Sequence, residues 1–278
     1  MERPLIIDSH VHLMPPRLGR AIRAFFEKHI GDLLVYPSDA AVVLDRHHEA
    51  GAVAVWNLPY AHKPGMADDL NAGMAEVATT HAGHPVHIVT GCTVHPGDEH
   101  PEDTLRRASE LHGARVLKLH CSVGSYDADD PRLAPVFDVA GELGMPVVVH
   151  AGHDVSGHTH GHELAPIARV AERHAATTVI VAHCGHEGND ETTALMRRLP
   201  NLWADLTPVV MEHPDVNAAQ LTEFADRMLL GTDAPNTGRS LDDQLRWLHG
   251  EADTHASFTP ESLAAILGQN AQRLLPLP

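Results

Sequence analysis

Eight short apolar, β-branched runs recur along the chain, at residues 5–8, 52–58, 86–91, 115–120, 146–150, 178–183, 202–205 and 228–231. Polar or Gly/Pro punctuation follows each run, and a helical pattern fills the space before the next, which is how βα units and a parallel sheet read in sequence. The ends of consecutive runs lie between 22 and 50 residues apart, room enough for a crossover helix to carry the chain back. Eight such units suit an α/β fold of one kind, a closed (β/α)8 TIM barrel. The chain of 278 residues is longer than most domains, but barrels of roughly 250 residues are routinely one unit. With no low-complexity tract, sequence repeat or Gly/Pro/Ser-rich linker, a single domain over 1–278 is expected.

Caps and periodicity place several of the helices. Ser38 and Asp39 open a segment in which Val42, Val43 and Leu44 face inward, and Gly51 follows its end. The segment 133–143 stops at Gly144 and Pro146, and Pro260 starts the last helix. The longest step is the first, because residues 15–37 add an extra helix, from 18 to about 29, in the loop after the first strand.

Composition narrows the function classes. With 20 Lys plus Arg against 37 Asp plus Glu, the formal charge is −17, so no basic surface is available to neutralise nucleic-acid phosphates. The apolar run near the start is too short for a signal-peptide core, and no stretch has the ~18 apolar residues of a membrane span; a cytoplasmic protein is expected. Cys92, Cys121 and Cys184 are odd in number and widely spaced, which suits reduced, buried thiols rather than a disulfide framework. The anomaly is histidine, at 24 residues more numerous than Lys and Arg together.

The chemistry-bearing residues fall at strand C-terminal ends, where barrel enzymes assemble their sites. In Asp8-Ser9-His10-Val11-His12 the two histidines stand two apart, so on an extended strand both rings point to one side, as metal ligands would. Lys118 stands inside an otherwise apolar strand, a rare place for a lysine without a partner or a task. His150, His183 and Asp233 follow the fifth, sixth and eighth runs. The loop 152–162 after the fifth strand carries four further histidines, of which His153 is a candidate substrate contact. His120 shares the strand face of Lys118 and is another; His95 lies at the same end. Arg239 either clamps a substrate carboxylate or sits on the surface near the helix that starts at Leu241.

The ordered set of HxH on the first strand, Lys on the fourth, His on the fifth and sixth and Asp on the eighth resembles the amidohydrolase superfamily. The wording Asp8-Ser9-His10-Val11-His12, Lys118-Leu119-His120, His150-Ala151-Gly152, Ala182-His183-Cys184-Gly185 and Gly231-Thr232-Asp233-Ala234-Pro235 resembles its amidohydrolase-2 branch of metal-dependent TIM-barrel hydrolases, from residue 6 to about 275. The resemblance implies one or two divalent metals at the C-terminal face, zinc before manganese or iron. His10, His12 and Asp233 would hold the more buried ion, and His150 and His183 the second. Lys118 would be either a metal-bridging carbamate, as in binuclear branches, or an unmodified ammonium pairing with Asp233 or an anionic substrate.

The implied reaction is hydrolysis of an amide, ester or lactone of a small molecule. Asp233 would take the proton from an activated water and pass it to the leaving group, and His183 or Lys118 would assist at the carbonyl. The alternative within the same superfamily is a metal-dependent non-oxidative decarboxylase. A non-catalytic metal-storage protein would have no need for ligands in the order of an enzyme's strand ends. Neither nucleic acid nor membrane is expected as a partner, and the reading leaves room for a homo-oligomer.

Overall fold

The computed structural model describes residues 4–152, 155–157 and 163–278. Its strands are β1 (Ile7–Val11), β2 (Ala54–Asn57), β3 (His87–Cys92), β4 (Val116–Leu119), β5 (Val147–Val149), β6 (Val179–Val181), β7 (Leu202–Asp205) and β8 (Met228–Leu229). They pair in chain order, β1 to β8, and every pair is parallel. No ladder joins β8 to β1, but Val11 bridges Ala234 in the parallel sense and Ser9 N–H donates to the Leu230 carbonyl at 2.9 Å. The barrel therefore closes just beyond the end of β8, with helices between the strands.

Parallel strands covered on both faces read as continuous apolar runs, and β5 and β6, Val-Val-Val and Val-Ile-Val, are wholly buried. Their side chains alternate between two cores. Ile7, Trp56, Val148, Ile180, Trp203 and Leu229 fill the barrel interior, whereas Val147, Val149, Val179 and Val181 pack outward under the helices.

Strand β1 departs from that alternation in a way that builds the site. Its register against β2 shifts between Asp8 and Val11, the signature of a bulge that re-aims the side chains beyond it. Ile7 faces the interior and Val11 packs outward with Val43 and Leu44; the shift turns His10 inward at the mouth. The sequence pattern puts the end of this strand at residue 8, but pairing continues to Val11 because Val11 meets both Asn57 and Ala234.

Two helices fill the long first connection, α1 (Pro16–Ile30) and α2 (Ala40–Glu49). Asp39 caps α2, accepting from the N–H groups of Ala41 and Val42 at 3.0 and 3.3 Å. Val43, Leu44 and His47 form its buried face, and Val42, expected inward, is 38% exposed because it lies off that stripe. At the other end of the chain, Pro260–Ala264, a wide π turn over Ala265–Gln269 and Asn270–Leu274 follow one another and tie to the barrel through Leu230 N–H and the Ile266 carbonyl. No helix among the described residues is long and apolar enough to cross a membrane.

Candidate active site

Strand ends bring the predicted residues together. Lys118 Nζ lies 3.1 Å from His10 Nε2, and Asp233 Oδ1 lies 2.9 Å from His12 Nε2 and 3.6 Å from His10 Nε2. His10, His183 and Asp233 each offer a ligand atom within 4.8 Å of the others. His150 meets His183 edge-on, with ring centroids 4.9 Å apart, and stacks on His120 at 3.8 Å. One predicted candidate is not brought here. Arg239 gives its Nε–H to the Met211 carbonyl at 2.8 Å and does not line the cavity described below; His153 lies outside the described residues. His95 is likewise committed elsewhere, to Gly97 N–H and the Gly124 carbonyl.

Sequence reasoning passed over Asp205, the last residue of β7. It accepts from His10 Nδ1–H at 2.9 Å and from the backbone N–H groups of His183 and Thr207 at 2.9 and 3.1 Å. A carboxylate on one ring nitrogen fixes the tautomer, so His10 presents a lone pair on Nε2 toward Lys118 and Asp233. Behind β1, buried Asp8 accepts from His10 N–H, from Thr232 N–H and Oγ1–H, and contacts His47 Nε2 at 2.8 Å. This cluster ties the ends of β1 and β8 to α2.

Burial dominates the electrostatics. It pushes His10, His120, His150 and His183 down, His183 to about 4 against the opposing pull of Asp233. It also pushes Lys118 down to about 8, although Asp205 and Asp233 pull the other way. Burial would raise both carboxyls, yet the neighbouring His10 holds Asp205 well below the usual range, and His12 with His10 does the same for Asp233. Neutral imidazoles beside ionised carboxylates are the protonation states that metal binding requires.

Two features of the donor set fit a divalent cation. His12 Nδ1 is engaged with the Leu58 carbonyl, so its Nε2 lone pair faces the Asp233 carboxylate, two acceptors 2.9 Å apart that a cation reconciles. Also, His183 Nδ1 is buried with no hydrogen-bond partner, which costs free energy unless something else engages the ring.

The backbone is strained where these residues emerge. Asp233 has φ +67°, and His183, Cys184, Gly185 and His186 form a left-handed run at +57°, +46°, +83° and +55°; each non-glycine position of this kind costs on the order of 1–3 kcal/mol. Asp233 is held by its N–H to the His10 carbonyl at 2.9 Å. Gly231 lets β8 come this close: a Cβ there would sit 2.1 Å from Thr207 Oγ1 and 2.9 Å from His10 Cβ.

Above the cluster opens a cavity of about 720 Å³, within the size range of small-molecule sites. His120, His150, His183 and Asp233 form its polar end; Ile22, Phe25 and Phe26 of α1, with Tyr60, Met66 and Val209, form an apolar wall. No Lys or Arg lines it among the described residues.

An eight-stranded parallel barrel with histidines and a carboxylate gathered at its C-terminal mouth defines a (β/α)8 barrel with a candidate metal site. The Amidohydrolase model of the amidohydrolase-2 type matches residues 7–277, so the chain belongs to that family, whose members are metal-dependent enzymes. Among solved structures, an uncharacterised TIM-barrel protein from Bordetella bronchiseptica superposes with TM-score 0.71 at 21% identity, covering 97% of this chain and 98% of that one. The 5-carboxyvanillate decarboxylase LigW from Sphingomonas paucimobilis gives TM-score 0.67 at 14% identity, covering 99% and 100%. A probable 2-pyrone-4,6-dicarboxylic acid hydrolase from Acinetobacter baumannii, with citric acid bound, gives 0.61 at 12% identity, covering 98% and 99%. At these identities the likeness establishes the fold, and the neighbours differ in reaction. No curated protein matches the chain.

Proposed function

We propose that the protein is a metal-dependent hydrolase acting on an amide, ester or lactone of a small, largely apolar molecule. The observation that carries the reading is Asp233: an ionised carboxylate, in contact with two histidine nitrogens, at the polar end of an apolar cavity with no cationic side chain in its described lining. His10, His12 and Asp233, with His183 and His150 beyond them, would hold one or two divalent ions. A histidine and carboxylate set suits zinc or manganese, and manganese is bound in a decarboxylase neighbour from Novosphingobium aromaticivorans. Bound there, such an ion lowers the pKa of water and polarises a carbonyl.

The chain's own groups supply the rest. Asp233 receives the proton of the attacking water and delivers it to the leaving atom. Hydroxide joins the carbonyl carbon as the C–N or C–O bond breaks, and an amide ends as a carboxylate and an ammonium. Asp205 keeps His10 in one tautomer while this happens. His183, which lines the cavity beside Asp233, would assist at the carbonyl oxygen. Lys118, which burial pushes down to about 8, has an amine form within reach near neutral pH, the form that would add CO2 as the resemblance to the binuclear branches implies.

A second reading, decarboxylation of an aryl or enol carboxylic acid, is favoured by the aromatic wall of Phe25, Phe26 and Tyr60. Turnover in ¹⁸O-labelled water separates the two. Hydrolysis puts one labelled oxygen in the organic product; an unlabelled product beside stoichiometric CO2 would overturn the first reading in favour of the second.

A further inference from the structure

The lining of the main cavity contains one carboxamide among the described residues, that of Asn236, in the segment that follows β8. The backbone of this segment is pinned from several sides. Thr232 binds Asp8 through its N–H and its hydroxyl, and His12 N–H donates to the Ala234 carbonyl at 2.7 Å. Asn236 N–H donates to the Asp233 carbonyl and Gly238 N–H to the Val210 carbonyl, each at 2.9 Å. The Asn236 side chain takes no part in this network, and neither its Oδ1 nor its Nδ2 has a hydrogen-bond partner among the described residues. The residue is 3% exposed, yet both polar atoms keep accessible surface, unlike the sealed and unpartnered Oδ1 atoms of Asn189 and Asn270. What they face is the cavity that Asn236 lines.

Nothing local accounts for an asparagine here. In a turn this residue usually folds its side chain onto a nearby backbone N–H or supplies a left-handed φ. No backbone N–H of the described residues reaches the Asn236 side chain, and the left-handed position of the segment is Asp233, at +67°. A carboxamide held this deeply with neither bond made costs stability, so its use lies outside the fold. The group carries an acceptor and a donor side by side, and its complement is an N–H beside a C=O on one edge, as in a ring amide or a primary amide. A carboxylate has no N–H for Oδ1, and the described lining holds no Lys or Arg to offset its charge beside ionised Asp233. A ketone or lactone edge satisfies Nδ2–H but leaves Oδ1 unpaired, the kind of mismatch on which binding sites discriminate strongly.

We propose that Asn236 is a specificity-determining residue of this cavity, pairing through its carboxamide with a neutral N–H/C=O edge of the substrate while an apolar body lies against Ile22, Phe25 and Phe26 of α1. The inference rests on the cavity being the substrate site of the proposed hydrolase and narrows its substrates to compounds that carry this edge. The pinned backbone matters to it, because a group whose support is already rigid loses little freedom when it binds.

Two compounds of the same shape test this on zinc-loaded protein by calorimetry: 4-phenylpiperidin-2-one and 3-phenylcyclohexanone, which differ only in N–H against CH2. The lactam is expected to bind roughly fivefold or more tightly than the ketone, although the ketone is the more apolar of the two. In Asn236→Leu and in Asn236→Ala the ratio falls below about twofold, the loss of one hydrogen bond. Because the side chain makes no bond inside the protein, Asn236→Leu is expected to keep or exceed the wild-type Tm; a lower Tm in both variants with an unchanged ratio marks the residue as structural and overturns the proposal. A lactam that binds no better than the ketone, or a preference that survives both variants, overturns it as well. If the preference is lost as expected and no compound with this edge is cleaved, Asn236 keeps its assignment and it is the hydrolytic reading that falls.

Discussion

Asp205 touches no part of the cavity, yet it sets what His10 offers to an ion, because the ring can point only one nitrogen at the carboxylate. Asp205→Asn is therefore expected to weaken metal affinity by roughly 10–100-fold, read by competition with a chelator of known affinity. Lys118 makes a prediction of opposite sign for stability. Its pKa in the metal-free fold is about 8, against about 10.4 for an unfolded lysine. Below pH 8 both states hold the proton and the fold bears the whole cost of the buried charge. Between the two values only the unfolded chain remains protonated, so rising pH favours the fold. Metal-free Lys118→Met should thus exceed the metal-free wild type by ~3 kcal/mol at pH 7, with the gap closing by pH 10 in urea unfolding, while losing activity. The predicted residues were legible because each is a polar tip on a greasy strand. Asp205 ends Leu-Trp-Ala-Asp as any strand might end before a turn, and its role arises from His10, far away in sequence. Asp8 and Thr232 were hidden inside the motifs that flagged their neighbours.

At the scale of elements, the eight strands could be read because buried parallel strands are apolar throughout, and what was misjudged lay at their ends. Strand β8 stops at Leu229 rather than 231 because Gly231 and Thr232 bend onto His10 and Asp8. The bulge in β1 has no sequence signal, since it is set by pairing with both β2 and the segment after β8. Helix α2 is the element behind this junction, carrying His47 to Asp8. Loss of its cap in Asp39→Ala should cost about 1 kcal/mol of stability, measured by denaturant unfolding, with a small effect on kcat because the cap lies outside the cavity.

For the molecule as a whole, a site assembled from β1, β4, β5, β6 and the segment after β8 makes an ion a tie between distant parts of the barrel. At free metal of about 100 times the dissociation constant, binding adds ~2.7 kcal/mol. Removing the metal should then lower Tm by roughly 5–10 °C in scanning calorimetry, with recovery on adding back zinc or manganese. The charge of −17 acts over the same scale, drawing cations toward the protein and holding anions off. Charge and the (β/α)8 plan were both legible from composition and spacing, whereas the closure between Val11 and Ala234 and the shape of the cavity depend on loop conformations that no local pattern encodes.

That closure orders events during synthesis. His12 and Asp233 are 221 residues apart, and a ribosome adding ~5–20 residues per second takes about 10–40 s to travel between them. Throughout that interval the nascent chain displays the His10 and His12 pair without the carboxylate that completes it, and β1 has no Ala234 to meet. The cluster is complete only once Asp233 has been made and β1 has met Ala234, so the full set of candidate ligands is never available to an ion before that point.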